Sequence, residues 1–301
     1  MKNPALAAGL LTLAFATPAA AQVTKQIEAE FDRVALLADS DSAGTAERVA
    51  AARLARYLRR FEDARYYLAR AERMARDEAD QNRVLSESLW LHLATGVSID
   101  ILQQVFEDEH TKRPMPPTVL AGWINNFPEL LVGGAYDTLV ARLKVDAEDP
   151  RYRCACYAQH AWMHRAAGRD AIARVYWDSL ATTRRPVPDG LPPFEEAEWR
   201  TRVARDLARA GRTEEARAAL VRAAAIDVEP VQQIQVIRRR AQAYAELGDV
   251  DAAVADLRYL LSVPSEVTVH TLETRLTWAP LRDDPRFRAL WQAAPHSQGS
   301  R

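Results

Sequence analysis

The chain has 301 residues and carries 40 Lys and Arg against 41 Asp and Glu, a formal net charge of -1. That balance excludes a general attraction for nucleic acid. The 11 glycines are few for this length, alanine is abundant and β-branched alternation is nearly absent, so the expected class is all-α.

The N-terminus reads as a secretory signal. Lys2 follows the start, an apolar run covers 5–16, and Ala19, Ala20 and Ala21 form a small-residue cleavage site before Gln22. The run is too short for a membrane anchor, and no later stretch is apolar enough to span a bilayer. The expectation is residues 1–21 as a signal peptide cut after Ala21 and an exported, periplasmic product. Lys2 is the one charged residue in that segment, so its loss moves the formal charge from -1 to -2. The remaining lysines are Lys25, Lys112 and Lys144. Arginine supplies the rest of the basic charge, which fits a GC-rich coding sequence and also suits two-pronged binding of carboxylates.

Helical periodicity predicts a first helix at 23–39, a hairpin at 44–58 with 61–77, and a second at 79–95 with 98–112. Prolines 114, 116 and 117 break the chain before a pair at 118–126 and 134–145, which departs from the other hairpins. Regular pairs resume at 152–167 with 169–183, at 194–210 with 213–226, and at 231–247 with 250–261. Between them, Pro186, Pro188, Pro192 and Pro193 make 184–193 a linker.

Four of these hairpins carry alanines twelve residues apart: Ala52 and Ala64, Ala161 and Ala173, Ala204 and Ala216, Ala241 and Ala253. Two antiparallel helices approach closely only where each presents a small side chain at the crossing, so a recurring small pair marks a recurring hairpin. A turn glycine stands five residues before the second alanine at Gly168, Gly211 and Gly248, whereas Arg59 occupies that place in the first hairpin.

These features resemble the tetratricopeptide repeat. The best match is Ala241, Tyr244, Gly248, Ala253, Leu257 and Leu260, in the family's small, aromatic, turn, small, large and apolar positions. Next come Ala204, Leu207, Gly211, Ala216, Leu220 and Ala223, then Ala161, His164, Gly168, Ala173, Trp177 and Leu180. The first hairpin offers Ala52, Ala64, Leu68 and Ala71. The resemblance implies an α-solenoid of antiparallel helix pairs over 22–292, a right-handed superhelical array with repeats near 44–77, 150–183, 194–227 and 231–264. The pairs at 79–148 are divergent. The stretch 265–292, with Val267, Leu272, Trp278, Pro280, Leu281, Asp284, Pro285 and Phe287, looks like the tail that closes such arrays in bacterial signalling proteins, and is expected to cap the last hairpin. Residues 293–301 are small and polar, and expected to be disordered.

Catalytic patterns are missing: the sequence has no glycine-rich phosphate loop, no nucleophile elbow and no paired-histidine zinc motif. A non-catalytic protein without a cofactor is expected. The nearest approach to a metal site is Cys156, His160 and His164, spaced four apart along one helix stripe with Met163 nearby. Three such ligands spread over about 12 Å, too far for one ion, so buried packing residues are the preferred reading. Cys154 and Cys156 point about 200° apart on a helix and should not bond to each other.

In the tetratricopeptide family the first helix of each hairpin lines a concave groove. Mapped onto this chain, the groove residues are Arg53 and Arg56, then Trp162 and Arg165, then Thr201, Arg205 and Arg209, and last Gln235, Arg238 and Gln242. Such a groove suits a protein or peptide partner offering carboxylates, side-chain or C-terminal, through charge-assisted pairs and stacking. The expected function is a periplasmic interaction scaffold or adaptor. The alternatives are a sensory or regulatory module acting with a separately encoded signalling protein, and a metal-handling protein.

Overall fold

The computed structural model describes residues 18–112, 117–131, 153–184 and 186–292. Among these, all regular secondary structure is helical. The helices are α1 Pro18–Ala38, α2 Thr45–Tyr57, α3 Phe61–Met74, α4 Glu78–Thr95, α5 Ile99–Lys112 and α6 Pro117–Asn126. A 3-10 turn at Pro128–Leu131 follows. Then come α7 Arg153–Ala166, α8 Asp170–Arg184, α9 Pro193–Arg209, α10 Thr213–Ala224, α11 Pro230–Leu247 and α12 Val250–Ser262. The tail holds α13 Val269–Thr274, a second 3-10 turn at Leu276–Leu281, and α14 Pro285–Gln292. The predicted helix at 134–145, most of the predicted signal and the polar end at 293–301 lie outside the described residues.

Helix boundaries follow local chemistry. Asp77 and Asp249 accept backbone N–H groups of Asp80 and Ala252 at the starts of α4 and α12, satisfying donors that have no partner inside the helix. Pro193 opens α9, one residue inside the predicted linker, at a position where its missing N–H is not needed and where Glu195 and Glu196 complement the helix dipole.

The helices pack as antiparallel pairs, α2 with α3, α7 with α8, α9 with α10 and α11 with α12. All eight alanines of the twelve-residue pairs are buried at these crossings. Gly248 takes a left-handed φ of 69° at the turn of the last pair, and Arg59, in the equivalent place of the first, takes φ 59°. The backbone therefore turns in the same way with or without glycine, at a cost to the arginine of about 1 kcal/mol.

The first and last helical pairs meet, so the hairpins do not touch their sequence neighbours alone. Helix α1 carries an apolar stripe of Ala20, Val23, Ile27, Phe31, Val34 and Ala38 along its 21 residues, about 30 Å by the helical rise. Its first half packs with Ile234, Ile237 and Ala241 of α11, and its second half with α2 and α3. One long amphipathic helix thus bridges the first hairpin and the last.

The tail completes the closure. Val267, Leu272, Trp278, Leu281, Phe287 and Leu290 fill the same apolar cluster as α11 and α12. The tail also reaches the N-terminal half, where Thr268 donates its hydroxyl to the Ala94 carbonyl at 3.2 Å and Arg275 pairs with Glu129 at 2.9 Å. At Gly96 the tail comes so close that an added Cβ would lie 2.6 Å from His270 Nδ1. A separate apolar cluster joins α4, α5, α6, α7 and α8 around Trp123, Phe127, Trp162 and Trp177.

Candidate functional site

The inner ends of α4, α6, α7, α8, α9 and α11 and the second 3-10 turn surround a pocket of about 450 Å³. Seven arginines line it: Arg184 from α8, Arg202, Arg205 and Arg209 from α9, Arg238 and Arg239 from α11, and Arg275 before the 3-10 turn. Asn125, Asn126, Gln242 and Thr277 add polar groups, and among the described residues no carboxylate lines the wall. The volume lies within the usual range for small-ligand pockets.

The carboxylates stand one layer back. Asp206 pairs with Arg184 and lies 3.2 Å from Arg205. Glu198 holds Arg239 at 2.7 Å and Arg202 at 3.0 Å through one oxygen. Glu246 holds Arg209 at 2.8 Å and takes both prongs of Arg165 at 2.8 and 2.9 Å. Glu266 pairs with Arg238, and Glu129 with Arg275. The seven guanidiniums therefore face five carboxylates, of which Glu246 also neutralises Arg165, leaving the pocket positive.

Aromatic side chains pack against several of these cations. Arg209 lies between Trp162 and Trp177, 4.5 and 4.6 Å from their ring centres. Trp90 has Arg275 at 4.5 Å and Arg56 at 5.5 Å. Each such contact contributes on the order of 1 kcal/mol, more where water is excluded. The tryptophan faces are thus occupied by the protein's own guanidiniums.

Titration directions follow from burial and charge. Burial raises the Glu246 carboxyl, but Arg209 and Arg165 outweigh it and hold the group below the ordinary carboxylate range. Glu198 is lowered in the same way by Arg239 and Arg202, and Glu266 by Arg238 and Arg56. Burial pushes Arg205 well below its ordinary value, with Asp206 opposing and Arg209, Arg239 and Arg184 adding to the shift. Burial with the repulsion of Arg238 and Arg202 brings Arg239 down to about 10, Glu198 opposing. Arginine remains protonated in proteins, so these shifts express first the cost of burying the cations and then their mutual repulsion.

Of the residues predicted to line a groove, Trp162, Arg205, Arg209, Arg238 and Gln242 meet at this pocket. The other five do not line it. Arg56 is buried and pairs with Glu87 at 2.5 Å, while the half-exposed Arg53 reaches the same carboxylate at 3.2 Å. Arg165 is spent on Glu246, and the Thr201 hydroxyl donates to the Ala197 carbonyl of its own helix at 3.0 Å. Gln235 is partly buried on α11. Arg205 and Arg238, expected to line an open groove, are both mostly buried in ion pairs, because closure turns the inner helix faces toward one another.

Sequence reasoning missed Arg184, Arg202, Arg239 and Arg275 and the aromatic partners Trp90 and Trp177. Arg184 and Arg275 lie outside the first helix of a hairpin, and Trp90 belongs to the divergent region. Arg202 and Arg239 are three residues before Arg205 and Gln242, on one helix face with them, and that spacing was the available signal.

Cys156, His160 and His164 share α7, yet no group of metal-holding geometry forms among the described residues. His160 and His164 each stack on Tyr176, with ring centres 5.0 and 5.4 Å away. Burial lowers the pKa of both imidazoles. Cys154 and Cys156 are not joined in a disulfide.

No family model, curated protein or solved structure matches this chain.

Proposed function

We propose that this chain is a non-catalytic binding protein built on a tetratricopeptide-like helical array, and that it holds the anionic part of a peptide or protein partner in the arginine-lined pocket. The observation that carries this reading is the wall itself: seven arginines face one cavity and the balancing carboxylates stand behind them. Bringing like charges together in a buried place is unfavourable without an opposing charge. A carboxylate-bearing ligand supplies that charge through two-pronged, charge-assisted hydrogen bonds.

The size of the cavity refines the expected mode. An extended peptide crossing four repeats needs an open groove, whereas about 450 Å³ accommodates an acidic side chain or a chain terminus with its neighbours. The export signal read from the sequence supports a periplasmic partner. Affinity capture from periplasmic extract, with wild type and Arg239→Gln side by side, tests the proposal. The expected result is a partner retained by the wild type and lost from the variant; a partner held equally by both would refute the pocket as the docking site.

A further inference from the structure

Resting on that reading of the pocket, we propose that its ligand group carries at least two negative charges, a phosphate monoester or a pair of adjacent carboxylates, and is held by Arg202, Arg205 and Arg239. Three features lead there. The first is charge multiplicity: the seven lining arginines exceed the five carboxylates behind them by two, before Arg165 takes its share of Glu246. A single carboxylate leaves a residual positive charge inside a partly dehydrated cavity, and a dianion removes it.

The second feature is the pairing pattern. One Glu198 oxygen serves both Arg202 and Arg239, so this carboxylate neutralises two cations only by half. Arg239 uses its Nε on Glu198, which leaves the terminal amino groups of its fork for another acceptor. Arg202 Nε is buried without a hydrogen-bond partner. Arg205 leans on its sequence neighbour Asp206 at 3.2 to 3.4 Å and donates to Gln242 Oε1 at 3.2 Å, while Asp206 also takes Arg184. These three side chains come from α9 and α11, which pack directly against each other, so one compact group can meet all of them.

The third feature is what the wall does not offer. Trp162 and Trp177 enclose Arg209, and Trp90 is taken by Arg56 and Arg275. Recognition therefore runs through the guanidiniums, in a wall to which Asn126 and Gln242 add amides. The bound group is hydrophilic and compact, and its charge is the chief determinant of affinity.

The test uses the full exported chain. Thermal unfolding and titration calorimetry are run at matched ionic strength with inorganic phosphate and succinate, with acetate as the monoanion, and with a tetrapeptide ending in Glu-Asp beside its Gln-Asn counterpart. The dianionic member of at least one set should bind tenfold or more tightly and raise the melting temperature by about 2 °C or more at saturating concentration. The stronger set identifies the source, free ion or peptide. In Arg239→Gln this stabilisation should vanish while the ligand-free melting temperature stays level or rises, because one uncompensated cation is gone and Glu198 keeps Arg202. A merely structural arginine would instead lower the ligand-free value.

Equal binding of acetate and phosphate, together with equal binding of the two peptides, would overturn the two-charge requirement. If no anion binds, but the periplasmic partner is still lost from Arg239→Gln, the two-charge proposal fails and the docking reading stands. If neither anions nor the variant have any effect, both fall.

Discussion

The Arg59 guanidinium donates to the Leu261 carbonyl at 3.0 Å, joining the turn of the first helical hairpin to the end of the last across 202 residues of sequence. The same side chain reaches the Val263 and Val267 carbonyls at 3.4 to 3.5 Å. Arg59 is also the one non-glycine residue with positive φ among the described residues. The strained turn and the closure of the array are therefore one device.

Replacing Arg59 separates its two roles. Arg59→Ala keeps a Cβ in the left-handed turn and loses every closing bond, so it should destabilise by about 1–3 kcal/mol. Arg59→Gly relieves the backbone and should be the milder change by about 1 kcal/mol. Urea unfolding of the two variants gives the comparison. Equal stability of both with the wild type would mean that the closing bonds contribute nothing.

The buried alanine pairs make a second prediction. Ala216 and Ala253 lie fully buried at the crossings of α9 with α10 and of α11 with α12. Leucine at either position has no room and should cost about 1–3 kcal/mol. Chemical denaturation of Ala216→Leu and Ala253→Leu would show it, with unchanged midpoints arguing against close helix approach there.

Arg209 provides a contrast between buried and exposed cations. Its guanidinium is held by Glu246, Trp162 and Trp177. Arg209→Ala should cost about 3 kcal/mol or more, because it empties the space between Trp162 and Trp177 as well as removing a partner of buried Glu246. Arg33, exposed and paired with Glu30 on its own helix, should tolerate alanine with little change in stability. Similar losses for the two variants in calorimetric unfolding would contradict the placement of Arg209.

Acid stability follows from the lowered carboxylates. Glu198, Glu246 and Glu266 have folded-state pKa values below their ordinary 4.5. A depressed carboxyl stabilises the fold above the unfolded pKa, and this contribution is lost as the pH falls through the folded value. Stability should thus hold near neutral pH and decline below about 4.5. Glu246→Gln should flatten that decline while lowering neutral-pH stability. An acid limb as steep in the variant as in the wild type would remove Glu246 as a contributor.

The export reading yields an intact-mass prediction. Cleavage after Ala21 gives a chain that begins at Gln22 and keeps Val23 and Ile27, two of the three α1 residues packed with α11. The first turn of α1, including the buried Ala20, would be removed. Osmotic-shock fluid should contain the Gln22 species. Recovery of a protein that retains Met1, from the cytoplasmic fraction, would set the periplasmic assignment aside.

The sequence by itself determined the helical class and the hairpins that carry alanine pairs, because both depend on neighbours within about twenty residues. Period, proline breaks and small-residue spacing are local properties of the chain. The tetratricopeptide resemblance, whose groove was mapped onto these helices, implied five of the pocket residues, Trp162, Arg205, Arg209, Arg238 and Gln242. Only the tertiary structure decided that those residues face a closed interior. The meeting of Ala20, Val23 and Ile27 with Ile234 and Ile237 joins positions more than 200 residues apart, and no local period encodes it. Closure converted Arg205 and Arg238 from exposed groove side chains into buried ion pairs, and brought Arg275 and Trp90 to the same cavity from segments that carry no repeat signal. Charge neutralisation in that interior depends on which carboxylate each arginine reaches, a three-dimensional fact that composition and spacing do not contain.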